Sequence, residues 1–573
     1  MTIRRAGLAV SLILATATFA AAAPLPSVAP ERMAVFARHQ MAAAAHPLAT
    51  AAGRDILRAG GSAIDATVAI QMVLGLVEPQ SSGVGGGALL LHWTAADRSL
   101  VTYDGRETAP AAATPDQFLG PDGRPLAFMD AVVSGLSVGV PGAVRALELA
   151  HRRHGRLPWA DLMAPAIRLA EEGFPISERL AAALADGRGL RDDPAAAALF
   201  YAADGSPKPA GTMVVNRDYA ATLRAIAGEG ADALHSGPIA RDIAAVVAGA
   251  RRPGRMTADD LAAYRPRERD PVCVPYRRWR VCGMGPPTSG GIAIAQSLGM
   301  LERFDLAAAG PAGAGAWHLI AEASRLAFAD RDLHVADSDF VPVPIASLLD
   351  RAYLAGRAAT IDPGRAMERA RPGTLPGKRA DLAPDASLEI PSTSHVVVVD
   401  RDGNAVSMTT TIEAVLGSRL MVHGFLLNNE LTDFSLRPEI DGRPVANRLA
   451  PGKRPRSSMS PTMIFDADGR LLAVTGSPGG PRIIGFTLKT VVAMLDWDLD
   501  PQQAINLPNV LNRNGATEVE QVPDAAALAA ALARIGHRIA PIPMPSGLQA
   551  IRVVPGGLVG GADPRREGVA LGD

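Results

Sequence analysis

The chain has 573 residues, of which 48% are hydrophobic, 4% are aromatic and 20% are charged. Its 57 basic and 58 acidic residues give a formal net charge of −1, so neither nucleic acid nor an anionic membrane surface is favoured as a partner. The scarcity of aromatic residues also argues against a surface that stacks bases.

The first 23 residues have the organisation of a secretory signal peptide. Arg4 and Arg5 supply the positive start, residues 6–17 are mostly apolar, and small residues follow near the expected cleavage point at Ala22 or Ala23. The apolar run is too short to span a bilayer comfortably, and no later run reaches about 18 apolar residues. We therefore expect residues 1–23 to be removed and the mature protein to be soluble and exported, periplasmic or secreted, without a stable membrane anchor. An uncleaved N-terminal anchor is the alternative.

Residues 46–76 have helical spacing that is interrupted at Gly60 and Gly61, and an apolar strand is predicted at 88–93. The pattern then predicts further helices at 143–170, 219–226 and 239–247, and an amphipathic helix at 317–331.

Three local patterns imitate functional sites. The glycines of 83–88 resemble a dinucleotide fingerprint, but a strand follows where a helix should begin. Residues 135–139 fit a serine-hydrolase elbow without the helix that should come next. His151 and His154 have the spacing of a metal pair, yet the neighbouring arginines would repel a cation. We interpret these histidines as a solvated helix end and predict no metal site.

Cys273 and Cys282 flank two short predicted strands joined at 277–278. A two-residue turn there puts the two cysteines opposite each other at a non-hydrogen-bonded position, where side chains are closest. A disulfide is plausible in an oxidising compartment, and two reduced thiols are the alternative. Further along, residues 362–392 carry interleaved prolines, glycines and charges, which is typical of an exposed linker.

The most informative stretch follows that linker. Four consecutive valines at 396–399 predict a buried strand, Asp402 and Gly403 predict a turn, and a second strand is predicted at 404–412. With Gly403 in the left-handed conformation, Thr393 lies opposite Thr411. Two hydroxyls then meet at the open end of a core hairpin. The alternative is a strand end rich in Thr and Ser without chemistry.

A threonine hydroxyl needs a base to become a nucleophile. If the chain is cut between Ser392 and Thr393, the new α-amine has a reference pKa of about 7.7–8.0, so a useful fraction is a neutral base at working pH. One residue then supplies both the nucleophile and the base.

Thr393-Ser394-His395 resembles the signature of the γ-glutamyltransferases (γ-glutamyltranspeptidases), which are N-terminal-nucleophile hydrolases. Other segments match that family in order along nearly the whole chain: 59–61 with Asp65, 82–87, 103–107, 135–142, 286–291, 427–430, 456–461, 476–480 and 562–565.

The resemblance implies an α+β fold, the four-layer αββα sandwich of this superfamily, and no metal or organic cofactor. It also implies autocatalytic cleavage, in which the Thr393 hydroxyl attacks the carbonyl of Ser392 and water resolves the ester. A large subunit, 24–392, and a small subunit, 393–573, would then form a heterodimer. The loop at 435–452 looks short for the full lid found in some relatives.

The resemblance also assigns roles to residues of this chain. Thr411 would hydrogen-bond the nucleophile Thr393 and tune it. Gly479 and Gly480 match the pair that stabilises the oxyanion, as amides at a helix start can. Arg106 matches the arginine that grips the α-carboxylate of the glutamyl group. The remaining matches bind the same group: Ser457 and Ser458 assist the arginine, and Glu413, Glu430 and Asp433 accept the α-ammonium.

The implied function is a self-processing γ-glutamyl hydrolase/transferase that acts on glutathione and other γ-glutamyl compounds. A γ-glutamyl ester on Thr393 would pass to water, an amino acid or a short peptide. Family members often carry Asn where this chain has Glu413, which puts the preferred acyl group in question. The rival is a cephalosporin (glutaryl) acylase-like amide hydrolase on the same fold, although Arg106 and Asp433 favour an α-amino-acid head group. A binding protein that never matures is the other alternative.

Overall fold

The computed structural model describes residues 32–376, 381–385, 387, 390 and 392–573. The predicted signal peptide, residues 1–23, lies outside the described residues. Within the described part of the chain, no helix is both long and apolar enough to cross a membrane.

The strands in chain order are β1 Val35–Ala37, β2 Met41–Ala44, β3 Gly87–Thr94, β4 Ser99–Gly105, β5 Phe174–Pro175, β6 Met213–Val214, β7 Arg267–Arg269, β8 Val272–Tyr276, β9 Trp279–Gly283, β10 Ser394–Val399, β11 Ala405–Thr411, β12 Met421–Val422, β13 Phe425–Leu426, β14 Glu439–Ile440, β15 Arg443–Pro444, β16 Thr462–Phe465, β17 Leu471–Gly476, β18 Val510–Asn512, β19 Thr517–Glu520, β20 Ile539–Ile542, β21 Gln549–Val554, β22 Gly557–Ala562 and β23 Val569–Gly572.

The α-helices are α1 Pro47–Arg58, α2 Ala63–Val77, α3 Phe128–Val132, α4 Ala143–His154, α5 Ala164–Glu172, α6 Glu178–Ala185, α7 Pro194–Phe200, α8 Arg217–Glu229, α9 Asp232–His235, α10 Gly237–Gly249, α11 Ala258–Ala263, α12 Gly290–Leu301, α13 Leu306–Ala309, α14 Ala314–His334, α15 Ile345–Leu348, α16 Arg351–Ala358, α17 Ile483–Leu495, α18 Pro501–Asn506 and α19 Ala526–Arg534.

Two seven-stranded antiparallel sheets form the centre of the molecule. The front sheet has the order β23-β2-β10-β11-β3-β4-β7, and the back sheet has the order β1-β22-β21-β17-β16-β9-β8. Helices cover both outer faces, so the predicted four-layer αββα sandwich is confirmed. Each sheet combines strands from before and after Thr393, so the two parts of the chain share one fold.

The valines of β10 show why the layers stack in this way. Side chains alternate between the two faces of a strand. Val397 and Val399 pack in the core between the two sheets. Val396 and Val398 pack in the core between the front sheet and the helices that include α1 and α2. A third core lies between the back sheet and α12, α14 and α17. A strand buried on both faces needs apolar residues at every position, which is what the sequence supplies.

Two local predictions of register hold. In the β10–β11 hairpin, Ser394 pairs with Thr410 and Val399 pairs with Ala405, with Gly403 at φ +79° in the loop. In the β8–β9 hairpin, Cys273 pairs with Cys282, and the two sulfurs form a disulfide. The register of both hairpins therefore follows from the length of the turn.

The interrupted helix at 46–76 is also confirmed, since α1 and α2 meet at Gly60, whose φ is +91°. The amphipathic prediction at 317–331 is wrong. That segment belongs to α14, which is buried on nearly all sides because it lies between α12, β18 and α19.

Burial corrects one further expectation in full and another in part. His151 and His154 are half-buried rather than solvated: His151 Nε2 lies 3.4 Å from Asp65 Oδ1, and the ring of His154 stacks on His92 at 3.7 Å. The predicted linker at 362–392 is mostly exposed or half-buried where it is described, as expected, but a few of its residues are buried. Its Asp385 is buried and pairs with Arg456 at 2.8 Å, so this polar residue anchors the segment.

Candidate active site

Thr393 lies at the mouth of the core hairpin, immediately before β10. Its Oγ1 is 3.2 Å from Oγ1 of Thr411, the last residue of β11, and both side chains are buried. The Thr411 oxygen also accepts a hydrogen bond of 2.8 Å from the amide of Glu413. The two hydroxyls thus form a fixed pair at a defined position in the core.

The peptide bond between Ser392 and Thr393 is held from both sides. The amide of Gly479 donates to the carbonyl oxygen of Ser392 at 3.0 Å, and Ser392 Oγ donates to the carbonyl of Gln80 at 3.0 Å. Thr393 itself has a φ of +96°, which is unfavourable for a β-branched residue. Such a conformation costs about 1–3 kcal/mol, so strain is stored next to a carbonyl that already faces an N–H donor.

Gly479 and Gly480 form the loop between β17 and α17. Their φ values are +135° and +58°, and a Cβ at Gly479 would lie only 2.8 Å from the ring of Phe486. A short 3-10 helix, Gly480–Arg482, then leads into α17. Glycine is required at this turn, and the turn points the amide of Gly479 at the carbonyl of Ser392.

The predicted site residues come together around a small cavity of about 20 Å³, enough for roughly one water molecule. Ile390 also lines this cavity, so residues that precede Thr393 help to fill it in the uncut chain. Nine of the ten predicted catalytic and binding residues line it: Arg106, Thr393, Thr411, Glu413, Glu430, Asp433, Ser457, Ser458 and Gly480. Gly479, the tenth, reaches the site through the carbonyl of Ser392.

One buried guanidinium faces several carboxyl groups in this cavity. Arg106 donates through Nη1 to Glu430 and through Nη2 to Asp433. Burial opposes the charge of Arg106, but Glu430 and Asp433 outweigh it, so its pKa is raised. Burial raises the pKa of Glu430 and also that of Glu413, where Asp433 adds to the effect. Burial therefore shifts these carboxyl groups toward the protonated form.

Sequence reasoning missed Glu107 as a member of this cluster. Its carboxyl is buried and lies 3.9 Å from Nη1 of Arg106. Burial and the nearby charge of Glu430 raise the pKa of Glu107 well above its ordinary value. One feature of the sequence pointed to it, since Glu107 directly follows Arg106 inside the matched segment 103–107.

The two serines are held by groups outside the hairpin. Ser457 Oγ accepts from the amide of Met459 at 3.0 Å, and Ser458 Oγ accepts from Nη2 of Arg331 at 2.7 Å. Arg331 comes from α14, and no local pattern linked it to the site.

His395, the third residue of the Thr-Ser-His stretch, faces the back sheet. Its Nδ1 is 2.9 Å from Thr409 Oγ1, and a Cβ at Gly476 would lie 2.3 Å from its ring. Burial lowers the pKa of His395 to about 3. The imidazole is thus neutral and serves packing between the sheets.

Sequence reasoning also missed Arg566, whose Nη1 donates to the main-chain oxygen of Thr393 at 2.8 Å. The matched segment 562–565 ends one residue short of it.

Among the described residues, His318, Glu322 and His537 have ligand atoms close enough to hold a metal ion. Hydrogen bonds already engage these atoms. His318 contacts His537 at 2.7 Å and the carbonyl of Asp362 at 2.8 Å, His537 contacts Thr517 at 2.7 Å, and Glu322 accepts from an arginine and a main-chain amide. The cluster is accounted for without an ion.

Comparison with known proteins gives a consistent result. The family model described as gamma-glutamyltranspeptidase matches residues 49–573. A glutathione hydrolase proenzyme from Bacillus subtilis is 35% identical over 93% of this chain and 91% of its own length. An acylase proenzyme from a Pseudomonas species is 37% identical over 94% of this chain and 95% of its own length. The crystal structure of a cephalosporin acylase from Bacillus halodurans superposes with a TM-score of 0.83 at 29% identity, covering 97% of this chain and 99% of that one.

Proposed function

Because the chain belongs to the gamma-glutamyltranspeptidase family, we propose that it is a self-processing γ-glutamyl hydrolase/transferase with Thr393 as its nucleophile. The observation that carries the proposal is the position of Thr393. Its hydroxyl lies 3.2 Å from that of Thr411, and the preceding carbonyl accepts from the Gly479 amide. Nucleophile and oxyanion donor thus flank one peptide bond.

Self-processing begins with attack of the Thr393 hydroxyl on the carbonyl carbon of Ser392. The peptide C–N bond breaks, the nitrogen takes the proton, and an ester joins Ser392 to Thr393. Water then hydrolyses the ester and releases the α-amine of Thr393. Relief of the strained φ at Thr393 favours the cut.

Turnover uses the same groups on an external amide. The free α-amine takes the hydroxyl proton of Thr393, and the hydroxyl attacks the γ-carbonyl of the donor. The amides of Gly479 and Gly480 stabilise the oxyanion, and a γ-glutamyl ester forms as the amine product leaves. Water, an amino acid or a short peptide then accepts the acyl group.

The charges in the cavity suit an α-amino acid head group. Arg106 offers a bidentate site for the α-carboxylate, in place of its present contacts to Glu430 and Asp433. Those two carboxyls, with Glu413, are then available for the α-ammonium. Burial, followed by the charge of Asp433, raises the pKa of Glu413, which favours its neutral form beside the other two acids. Ser457 and Ser458 complete the carboxylate contact.

The mature protein is proposed to be a heterodimer of residues 24–392 and 393–573, located in the periplasm or outside the cell. The division of both sheets between the two segments supports this, because neither segment has a complete sheet alone.

A glutaryl acylase is the second candidate. The similarity to the Pseudomonas acylase and to the Bacillus halodurans cephalosporin acylase favours it. A glutaryl chain keeps a carboxylate for Arg106 but has no α-ammonium. Such a chain would draw Arg106 away from Glu430 and Asp433 without offering these carboxyl groups an α-ammonium in return, so the γ-glutamyl group is preferred.

The test compares wild type, Thr393→Ala and Thr393→Ser on a denaturing gel and with γ-glutamyl and glutaryl anilides. We expect wild type and the serine variant to be cut into two pieces and to favour the γ-glutamyl anilide. The alanine variant should remain uncut and inactive. Normal cutting of the alanine variant would refute the nucleophile, and a preference for the glutaryl anilide would favour the second candidate.

A further inference from the structure

Arg566 contacts the nucleophile although it belongs to a different segment of the chain. It follows β22, its side chain is buried, and Nη1 donates to the carbonyl oxygen of Thr393 at 2.8 Å. Its Nε donates to the carbonyl of Pro545 at 3.0 Å. Among the described residues, no carboxylate forms a salt bridge with this guanidinium. A buried cation whose recorded partners are main-chain oxygens is costly, so its presence calls for an explanation.

The packing around Arg566 fixes where its head group lies. A Cβ at Gly547 would come within 2.7 Å of Cδ of Arg566 and 2.6 Å of the ring of Pro478. Glycine at 547 therefore lets the arginine stem lie against the loop that leads to Gly479. The neighbouring Arg565 differs, since it pairs with Glu520 and Asp563 away from the nucleophile.

We propose that Arg566 is a positioning residue for the nucleophile, which holds the main-chain carbonyl of Thr393 and places a fixed positive charge beside the α-amine released by cleavage. This inference rests on the proposed function. It adds a residue that supports the base rather than one that contacts the substrate.

The hydrogen bond from Arg566 to the carbonyl of Thr393 matters more after cleavage than before it. Once the bond to Ser392 is cut, Thr393 is a chain end that is tethered on one side only. Its α-nitrogen, hydroxyl and carbonyl share one Cα, so a grip on the carbonyl limits the motion of both reactive groups.

The charge acts on the α-amine in a definite direction. A nearby cation disfavours the ammonium form and so lowers the pKa of the amine, which raises the fraction of neutral base at neutral pH. Burial, followed by the charge of Arg179, lowers the pKa of Arg566 to about 9, which still leaves it cationic at pH 7.

Other charged residues face these groups, and each of them is the same in every variant of the test. Around Arg566 they are Arg179, Glu78, Asp563 and Glu567. Glu78 is engaged by Arg179 and by Ser394. In front of Thr393 they are Arg106, Glu413, Glu430 and Asp433.

Three substitutions separate the charge from the hydrogen bond. Arg566→Lys keeps the charge, Arg566→Gln keeps an N–H donor, and Arg566→Met keeps neither. Arg552→Met is the matched control, because it removes an arginine from β21, the strand beside β22 and away from the site. The processed fraction of each protein is measured on a gel, and kcat and KM for a γ-glutamyl anilide are followed from pH 5.5 to 9.5.

We expect the methionine variant to lose about tenfold in kcat with little change in KM, as for one lost buried hydrogen bond. In its profile of kcat against pH, the rise on the acidic side should move to higher pH by about one unit. The reason is that the α-amine no longer has a cation beside it, so its pKa is higher. The glutamine variant should show the same move with a smaller loss of kcat. In Arg566→Lys and in the control Arg552→Met, the acidic side of the profile should stay where it is in wild type.

Two results would overturn the proposal. One is an Arg566→Met protein with the kcat and the pH profile of wild type. The other is a loss of kcat that is the same at every pH and is no smaller in Arg566→Lys. If Arg566→Met does not fold, the pH profiles of Arg566→Lys and Arg566→Gln are compared instead. If kcat rises over the same acidic pH range in both, the role of the charge is refuted. Failure of the proposed function itself is seen separately, as a wild-type protein that is uncut or inactive.

Discussion

Replacing Thr411 by Val tests the pairing of hydroxyls at the centre of the site. The change keeps the shape of the side chain and removes one oxygen. That oxygen is 3.2 Å from Thr393 Oγ1 and accepts from the amide of Glu413 at 2.8 Å. A buried donor left without a partner costs about 1–3 kcal/mol, and the lost contact to Thr393 falls in the same range. We therefore expect kcat to fall about 10- to 100-fold.

The assay is the initial rate of γ-glutamyl anilide hydrolysis by fully processed protein, with a melting curve for each variant. Thr411→Ser keeps the oxygen and should stay close to wild type. Thr410→Val is the matched control, since Thr410 lies on the opposite face of β11 and donates to the carbonyl of Gly87 at 3.1 Å. The reasoning is refuted if Thr411→Val stays within about twofold of wild type, or if Thr410→Val loses as much kcat.

Three further outcomes are expected. Asp433→Asn should reduce kcat/KM about tenfold for the γ-glutamyl anilide and much less for the glutaryl anilide, because only the former has an α-ammonium; equal losses would contradict this assignment. Replacing both Cys273 and Cys282 by Ser should lower the stability by about 2–3 kcal/mol without changing kcat/KM, because the disulfide closes a short loop at the edge of the back sheet; two free thiols in unreduced wild type would rule it out. Burial lowers the pKa of His395 from 6.5 to about 3 in the folded protein. Below about pH 6.5 the unfolded chain therefore binds a proton at this histidine and the folded chain does not, so acid favours unfolding. The difference in free energy of unfolding between wild type and His395→Gln, measured with denaturant, should therefore decrease as the pH falls from 7 to 5. A difference that increases would contradict this pH dependence.

The two hairpins could be predicted from the sequence because their registers depend on local features. Turn length and strand alternation put Thr393 beside Thr411 and Cys273 opposite Cys282 without reference to the rest of the fold. The approach of Arg106 to Thr393 could not be derived in that way. It came from the resemblance, because contacts between distant segments leave no local pattern.

The failed predictions share one cause, which is that polar residues were assumed to be exposed. In α14, Glu322 and Arg325 pair with each other at 3.0 Å inside the structure, so a polar pattern was taken for an exposed face. Asp385 was likewise assigned to an exposed linker, yet it pairs with Arg456 in the interior. Arg566 was missed because the family resemblance stops at Arg565, and only the fold shows which of the two arginines reaches Thr393.

Mass spectrometry of the purified protein, before and after brief exposure to a γ-glutamyl donor at acid pH, tests the central claim most directly. We predict a small subunit that begins at Thr393 and has 181 residues (573 − 393 + 1). Exposure to the donor should add one γ-glutamyl group, located on the peptide whose first residue is Thr393. A single uncut chain, a different first residue, or a label elsewhere would contradict it.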